Sequence, residues 1–294
     1  MTREKRVLIT GAGGFIATFL ARRLAGSEWT VSGIDRPGAT PRASYRATYA
    51  AGLGETMAPF LAQMQPDAIV HTALDPRPNT LALNVDGAVR WLREGQAAGV
   101  RTQILLSTLS AEPHALTEYG RGKWALEQEF ARAGELTVRL GVVVGPGGMF
   151  AKLVDSARRA PVIPLLGGGQ QLLFVLGIDR LTEILRDIMH SEGEGQRGRA
   201  WNLPQPEPVT LRRMMETIAR AYGLRRMTLP VPAKPLLWGA QLFEKQSLLH
   251  LPISSTNIRG LIQAGTRTFP SDYARFGYPV QSLEELVAAA ALAG

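Results

Sequence analysis

The stretch Val7-Leu8-Ile9-Thr10-Gly11-Ala12-Gly13-Gly14-Phe15-Ile16-Ala17, with Leu20 and Leu24 following at helical spacing, constrains the fold of this chain more than any other. An apolar run at strand length enters a glycine turn and leaves as an amphipathic helix. Glycines let a backbone come within hydrogen-bonding distance of a diphosphate. The helix N-terminus that follows offers unpaired N–H donors and a partial positive charge. The next strand, Thr30 to Ile34, ends at Asp35, twenty-four residues after Gly11. A carboxylate at that distance can accept from the ribose hydroxyls of an adenosine. The expected ligand is therefore a dinucleotide. Asp35 favours NAD, because its charge would repel a ribose 2′-phosphate. Arg36 beside it can pair with that phosphate if the carboxylate turns away, so NADP stays open.

Strand-like and helical patterns alternate through the first half. The strands read as Arg6 to Thr10, Thr30 to Ile34, Ala68 to His71, Thr102 to Ser107 and Thr137 to Val144. Helical patterns cover Phe15 to Leu24, Asn84 to Ala98 and Tyr119 to Ala133. This is the order of a parallel sheet covered by helices through right-handed crossovers, an α/β fold of the Rossmann-type, doubly wound class. Past Gly145 the texture changes to Gly and Pro punctuation, at Gly145 to Gly148, Pro161, Pro164 and Gly167 to Gly169. Helical periodicity then dominates, at Leu211 to Tyr222 and Leu283 to Leu292, with Ala200 to Leu203 as a short strand. The expected organisation is a dinucleotide-binding domain over 1–146, with 170–203 returning to it. A smaller, mostly helical C-terminal substrate lobe would take 147–169 and 204–294.

Composition narrows the function classes. The 294 residues include no cysteine, which excludes disulfides and cysteine metal sites. His71, His114, His190 and His250 share no metal-ligand spacing, so no metal is expected. The formal charge is +8, but the arginine pairs 22/23, 158/159, 212/213 and 225/226 sit in separate amphipathic stretches. Scattered pairs of this kind read as solvated helix faces, and no nucleic-acid partner is expected. The nearest approach to a membrane span, Pro235 to Pro252, is broken by Glu244 and Lys245. The run Val7 to Ile9 is too short for a secretory signal, so the expected compartment is the cytoplasm.

Tyr119 and Lys123 stand four apart in a helical segment, so both side chains lie on one face. A free phenol titrates near about 10, and a nearby ammonium favours the phenolate. Tyrosine then becomes a workable acid and base at neutral pH. Just upstream, the strand Thr102 to Leu106 ends in Ser107, Thr108, Leu109 and Ser110. The carboxyl end of a strand is where an open α/β sheet presents ligand-binding groups. A hydroxyl there can hold a substrate oxygen while the phenol exchanges its proton, although Ser107 and Thr108 can equally form a turn or cap.

The order of glycine turn, acid after the second strand, hydroxyl pair and Tyr-x-x-x-Lys resembles the extended short-chain dehydrogenase/reductase superfamily, in its NAD(P)-dependent epimerase/dehydratase branch. Further matches are Asn84, Val85 and Gly87; Arg139 with Gly145, Pro146 and Gly147; Trp201, Asn202 and Leu203; Pro208, Val209 and Thr210; and Ser271 to Gly277 with Ser282 to Glu285. The resemblance implies that Tyr119 is the general acid/base, and that Lys123 binds the nicotinamide ribose and lowers the tyrosine's pKa. It makes Thr108 the hydroxyl that polarises the substrate oxygen, with Ser107 or Ser110 able to share that role. It assigns the dinucleotide to Gly11, Gly13, Gly14, Phe15, Ile16, Asp35 and Arg36 on the first half of the sheet. Thr72, Ala73, Asn84, Ser107, Tyr119 and Lys123 complete the set. Homodimers built on paired helices are common in the superfamily and are expected here.

Several positions depart from the nucleotide-sugar members of that family. Val142 stands where they usually carry Asn. Gln170, Gln171, Leu172 and Leu173 stand where they tend to carry an Arg that grips the diphosphate. Burying two phosphates without that partner would be costly. The loop Asp75 to Asn79 is short, and Ala50, Ala51, Gly52 and Leu53 replace an Asp near the adenine. The apolar stretches Pro161 to Gly167 and Pro235 to Leu251 are closer to branches acting on hydrophobic alcohols and ketones, or to accessory dinucleotide-binding subunits; a core helix is the plain reading of the second stretch. Asp179, at a helix start, reads as a cap. The expected activity is hydride transfer at a secondary alcohol or ketone, on a non-nucleotide or apolar small molecule. The alternatives are a nucleotide-sugar epimerase/dehydratase and a non-catalytic NAD(P)-binding sensor or assembly subunit.

Overall fold

The computed structural model describes residues 4–40, 42–191, 198–231 and 268–293. In chain order the strands and helices are β1 (Lys5–Thr10), α1 (Phe15–Leu24), β2 (Trp29–Asp35), β3 (Ala47–Ala50), α2 (Ala58–Met64), β4 (Ala68–His71), α3 (Leu81–Ala97), β5 (Thr102–Thr108), α4 (Glu118–Arg132) and β6 (Leu136–Leu140). They continue with β7 (Val142–Val144), α5 (Gly148–Arg159), β8 (Val162–Leu166), β9 (Leu172–Leu173), β10 (Val175–Gly177), α6 (Ile178–His190), β11 (Ala200–Asn202), β12 (Val209–Thr210), α7 (Leu211–Ala221), β13 (Met227–Val231) and α8 (Leu283–Ala293). Two compact units emerge. One comprises Met1–Arg139 with Ile178–Trp201, the other Leu140–Gly177 with Asn202–Gly294. The first break thus falls after Arg139, where the sequence suggests Pro146, and 170–177 belongs to the second unit.

The first unit is built on a seven-stranded sheet in the order β11-β6-β5-β4-β1-β2-β3. The pairs β1–β2, β1–β4, β2–β3 and β4–β5 are parallel. Strand order reverses beside β1, which opens a crevice at the carboxyl ends of β1 and β4, the usual ligand position in such sheets. Leu8, Ile34, Ile69 and Leu105 face one way and pack with Leu61 of α2, Trp91 of α3 and Leu126 and Phe130 of α4. Alternation turns Val7 and Ile9, both fully buried, to the other face. Two elements escape the sequence reading, β3 and α2. The strand expected over Thr137 to Val144 is two strands, and Gly141 is the break. A Cβ there would come within 2.0 Å of the Phe174 carbonyl oxygen, and Val142 N–H donates to that oxygen at 2.8 Å.

Among the described residues the second unit carries three two-stranded sheets. β7 pairs parallel with β10, β9 antiparallel with β12, and β8 parallel with β13. Of these, β9, β10 and β12 escape the sequence reading, because strands of two or three residues leave no alternation to read. The unit's core joins Phe150 and Val154 of α5, Leu165, Val175, Met214 and Ile218 of α7, and Leu286 and Val287 of α8. α7 buries Leu211, Met214, Met215 and Ile218, spaced as one helical stripe, and starts on Thr210, whose hydroxyl accepts from Arg213 N–H at 3.1 Å. The apolar stretch Pro235 to Leu251 lies outside the described residues. Among the described residues no helix is long and apolar enough to cross a membrane, and no group of three or more acidic or histidine side chains is placed to hold a metal ion.

Candidate functional site

At the carboxyl end of β1 the chain turns through Gly11, whose φ is +69°. A Cβ there would meet the Ala73 Cα at 2.8 Å, so only glycine fits both the conformation and the space. Gly14 N–H donates to the Gly11 carbonyl at 2.8 Å, and Gly14 caps α1 without a side chain in the way. The first helical bond, Thr18 N–H to Gly14 at 3.0 Å, leaves the N–H groups of Phe15 and Ile16 without helical partners. Asp35 leans on the turn, since a Cβ on Gly13 would come within 2.5 Å of its Oδ2. Its Oδ1 accepts from Arg36 N–H at 2.8 Å. The arrangement offers a bare backbone, free N–H donors and a carboxylate, which suits a diphosphate and a ribose.

The expected Thr72 and Ala73 lie beside this turn. The fully buried Thr10 hydroxyl accepts from both backbone N–H groups at 3.2 Å, and Thr72 Oγ1 donates to the Thr10 carbonyl at 2.5 Å. These bonds hold the ends of β1 and β4 at a fixed separation. Asn84 is hydrogen-bonded to the loop after β4. Its amide oxygen accepts from Asp75 N–H at 2.7 Å, and its amide NH₂ donates to the Asp75 and Thr80 carbonyls at 2.9 and 3.0 Å. It clamps the loop after β4.

Sequence reasoning missed Tyr45 and Arg42. The buried Tyr45 hydroxyl donates to the Ala12 carbonyl at 3.0 Å and Arg42 Nη2 to that of Gly13 at 3.1 Å, so the loop between β2 and β3 supports the glycine turn from outside. Burial raises the Tyr45 phenol well above its ordinary range. An aromatic in an otherwise polar loop was the available signal.

The second cluster gathers on α4 and β5. Thr117 caps α4, its hydroxyl accepting from Gly120 N–H at 3.0 Å, which puts Tyr119 in the first turn and Lys123 one turn on. A Cβ on Gly120 would come within 2.7 Å of the Ser110 carbonyl, so the segment after β5 presses directly against that first turn. Gly122 similarly admits α3, with Leu81 Cδ1 at 2.8 Å from where a Cβ would stand. Thr108 ends β5 half-buried, its Oγ1 accepting from Ser110 N–H at 3.2 Å.

The two side chains behave differently from the sequence expectation. Lys123 is 5% exposed and its Nζ donates to the Leu106 carbonyl at 2.7 Å. Burial pulls the amine down to about 8, with the Glu127 carboxylate opposing. The Tyr119 phenol is not lowered. The protein packed around it pushes it up to about 12, although 45% of the residue is open to solvent. The phenol is therefore protonated at neutral pH.

Ser107 is buried and committed. It donates to Glu127 Oε1 at 2.5 Å, and Glu127 takes a two-pronged pair from Arg139, Nε to Oε1 at 2.9 Å and Nη2 to Oε2 at 2.5 Å. Of the hydroxyls weighed in the sequence, Thr108 is the one left half-open at the strand end, Ser107 being spent and Ser110 exposed. Glu127 was not singled out, although it continues the Tyr119 and Lys123 face by one more turn. His71, at the end of β4, belongs to the core under α4. It is 3% exposed, its ring meets Phe130 edge-on at 5.1 Å, and its Nε2 is 2.9 Å from Gln103 Oε1. Asp179, expected as a cap, lies inside the first turn of α6, one residue after the helix begins at Ile178.

A family model described as the NAD dependent epimerase/dehydratase family matches residues 7–203. A relative named ceramide reductase, from Caulobacter vibrioides, is 28% identical over 239 residues, covering 69% of this chain and 75% of the relative. Among solved structures, the Bordetella bronchiseptica enzyme WbmH in complex with NAD+ is similar at a TM-score of 0.73 and 18% identity, covering 98% of this chain and 97% of that one. A UDP-glucose 4-epimerase from Thermotoga maritima, with UDP-glucose, is similar at 0.72 and 16%, with the same coverage of 98% and 97%. At these identities the two structures speak for the shared fold. The family match spans well over half of the chain, from β1 through the last strand of the large sheet, and the chain belongs to the NAD-dependent epimerase/dehydratase family.

Proposed function

We propose that this protein is an NAD-dependent oxidoreductase that moves a hydride between a secondary alcohol carbon and the nicotinamide, with Tyr119 moving the proton, on a non-nucleotide, apolar small molecule. The observation that carries this reading is the α4–β5 cluster. A phenol in the first turn of the helix stands one turn before a buried ammonium tied to β5, and β5 ends in a half-open hydroxyl. Bound NAD supplies the carbon that accepts or donates hydride. Gly11, Gly13, Gly14, Phe15 and Ile16 would hold its diphosphate and Asp35 its adenosine ribose. Thr108 would hold the substrate oxygen, and Tyr119 would give its proton to that oxygen in reduction and take it in oxidation.

Support for an apolar substrate comes from the second unit. The segment 170–173 is without a cation, Leu173 is buried and Gln171 Nε2 is spent on the Leu166 carbonyl at 2.8 Å. Arg212, nearby on α7, gives its guanidinium to the Gly168 carbonyl at 2.9 Å and to Thr228 at 3.0 Å. Ceramide, named in the relative, is itself a lipid, which favours the same class. The test is absorbance at about 340 nm, the reduced-nicotinamide band, with purified protein, NADH and a panel of long-chain ketones and nucleotide sugars. Net oxidation with a lipid ketone supports the reading. Conversion of a nucleotide sugar with no net absorbance change replaces it with the epimerase alternative, and binding of NAD without turnover, unaltered in Tyr119→Phe, with a sensor.

A further inference from the structure

Beneath Lys123 lies a buried network that the proposed chemistry does not use. Glu127 is 3% exposed, sits four residues after Lys123 on the same helix face, and is held from two strands, by Ser107 at the end of β5 and by Arg139 on β6. A carboxylate is almost never buried this deeply unless paired, and the pair itself is costly to assemble. We propose that Glu127 is a positioning residue for the Lys123 ammonium, with Ser107 and Arg139 fixing where its carboxylate stands. The inference rests on the Tyr119–Lys123 reading above.

The surroundings of Lys123 explain why such a device is needed. On β5 the only partner is a neutral carbonyl, that of Leu106. On β4, His71 is neutral at physiological pH, because burial, aided by the Lys123 charge, pulls it down to about 4. On β6, Arg139 carries a positive charge, but it is turned onto Glu127. On α4, Tyr119 is a neutral phenol. Glu127 is thus the anion facing the buried amine from these elements, and it opposes the loss of the amine's proton. The same carboxylate ties α4 to β5 and β6, so it also sets how far the first turn of α4, with Tyr119, stands from Thr108.

The test reads the lysine directly, without cofactor or turnover. The chain has five lysines, few enough for their ¹³Cε resonances to be followed through a pH titration of the whole protein, with Lys123→Arg assigning the signal. Glu127→Gln is expected to lower the Lys123 midpoint by one pH unit or more; an unmoved midpoint in the folded variant overturns the proposal. Should Glu127→Gln fail to fold because Arg139 is left buried and unpaired, Glu127→Gln/Arg139→Gln removes both charges. A downward shift, smaller because the Arg139 cation goes with the anion, is expected there, and an unmoved midpoint again overturns it. The alkaline limb of kcat is expected to move with the resonance while KM for NADH does not. Loss of activity in Tyr119→Phe beside an unmoved Lys123 midpoint sinks this inference alone. Full activity in Tyr119→Phe sinks the enzyme reading and leaves the titration to stand by itself.

Discussion

Lys123 Nζ lies 2.7 Å from the carbonyl oxygen of Leu106, so β5, and not the phenol of Tyr119, is what holds the lysine. A phenol pushed up to about 12 is held protonated at neutral pH and is a weak acid there, and a charged lysine beside it is what would favour the phenolate and bring it back toward neutrality. The lysine amine, pulled down to about 8, is charged below that pH and neutral above it. Activity is therefore expected to fall as pH rises through about 8, read as the alkaline limb of a pH–rate profile. Lys123→Met and Tyr119→Phe should each lower kcat/KM by about a hundredfold or more, the scale of a lost acid–base group. Tyr119→Phe should leave NAD affinity within about twofold, measured by fluorescence titration.

Gly11 and Gly13 are expected to respond differently to alanine. At Gly13 the obstacle is the end of an Asp side chain, Oδ2 at 2.5 Å, which can swing aside. Gly13→Ala should keep near-native stability and weaken NAD binding about tenfold or more, because the displaced carboxylate is the one that would meet the ribose. At Gly11 the obstacle is backbone, Ala73 Cα at 2.8 Å, and φ is +69°. Gly11→Ala should lose about 1–3 kcal/mol of stability as well as affinity, seen as a lower urea midpoint.

His71 makes stability depend on pH. Gln103 Nε2 donates to the Leu92 carbonyl at 3.0 Å, so its Oε1 is the acceptor and His71 carries its proton on Nε2. Nδ1 is buried without a partner, and burial pulls the ring down to about 4. The ring is neutral when folded, whereas in the unfolded chain it titrates near its ordinary 6.5. The unfolded state then binds the extra proton between these values, so stability is complete above about 6.5 and is lost as pH falls toward 4, by on the order of 3 kcal/mol. Urea midpoints against pH should show this slope in the native protein and a shallower one in His71→Gln.

What the sequence discloses follows from the range of the forces involved. The glycine turn, Asp35 and the strands around it are legible because local geometry demands Gly11 and because short apolar runs bounded by turns have few other uses. Tyr119 and Lys123 are legible because helical spacing alone puts them together. Glu127 is not, since it reads as one more acid on a polar helix until β6 brings Arg139 beside it. β3 is hidden for a similar reason: Ala47, Thr48, Tyr49 and Ala50 are half-buried or exposed, and pairing with β2 makes them a strand. Gly141 is hidden within a continuous apolar run of the sequence, and the Phe174 carbonyl pressing on it explains why β6 and β7 separate there. Asn84 is legible as a polar residue at a helix start, but its grip on Asp75 and Thr80 depends on a loop conformation no spacing encodes.

Gly87 on α3 offers the sharpest test of how the first unit is packed. A Cβ there would come within 2.1 Å of the Leu53 carbonyl oxygen and 2.8 Å of its carbon. Both are backbone atoms, so no rotamer change relieves the overlap, and α3 or the segment after β3 must move. Alanine normally stabilises a helix relative to glycine by about 1 kcal/mol, which sets the sign expected if packing were loose. Overpacking should win here. Gly87→Ala is expected to cost about 2–4 kcal/mol, read from the urea midpoint at unchanged slope. Two controls separate the causes. Gly99→Ala meets nothing within 4 Å but has φ of +73°, so it should cost about 1–2 kcal/mol through backbone strain alone. Gly52→Ala meets only the Glu55 Oε2 at 3.6 Å and should stay within about 0.5 kcal/mol of native. If Gly87→Ala instead matches Gly52→Ala, the close approach of α3 to Leu53 is not a feature of the folded protein.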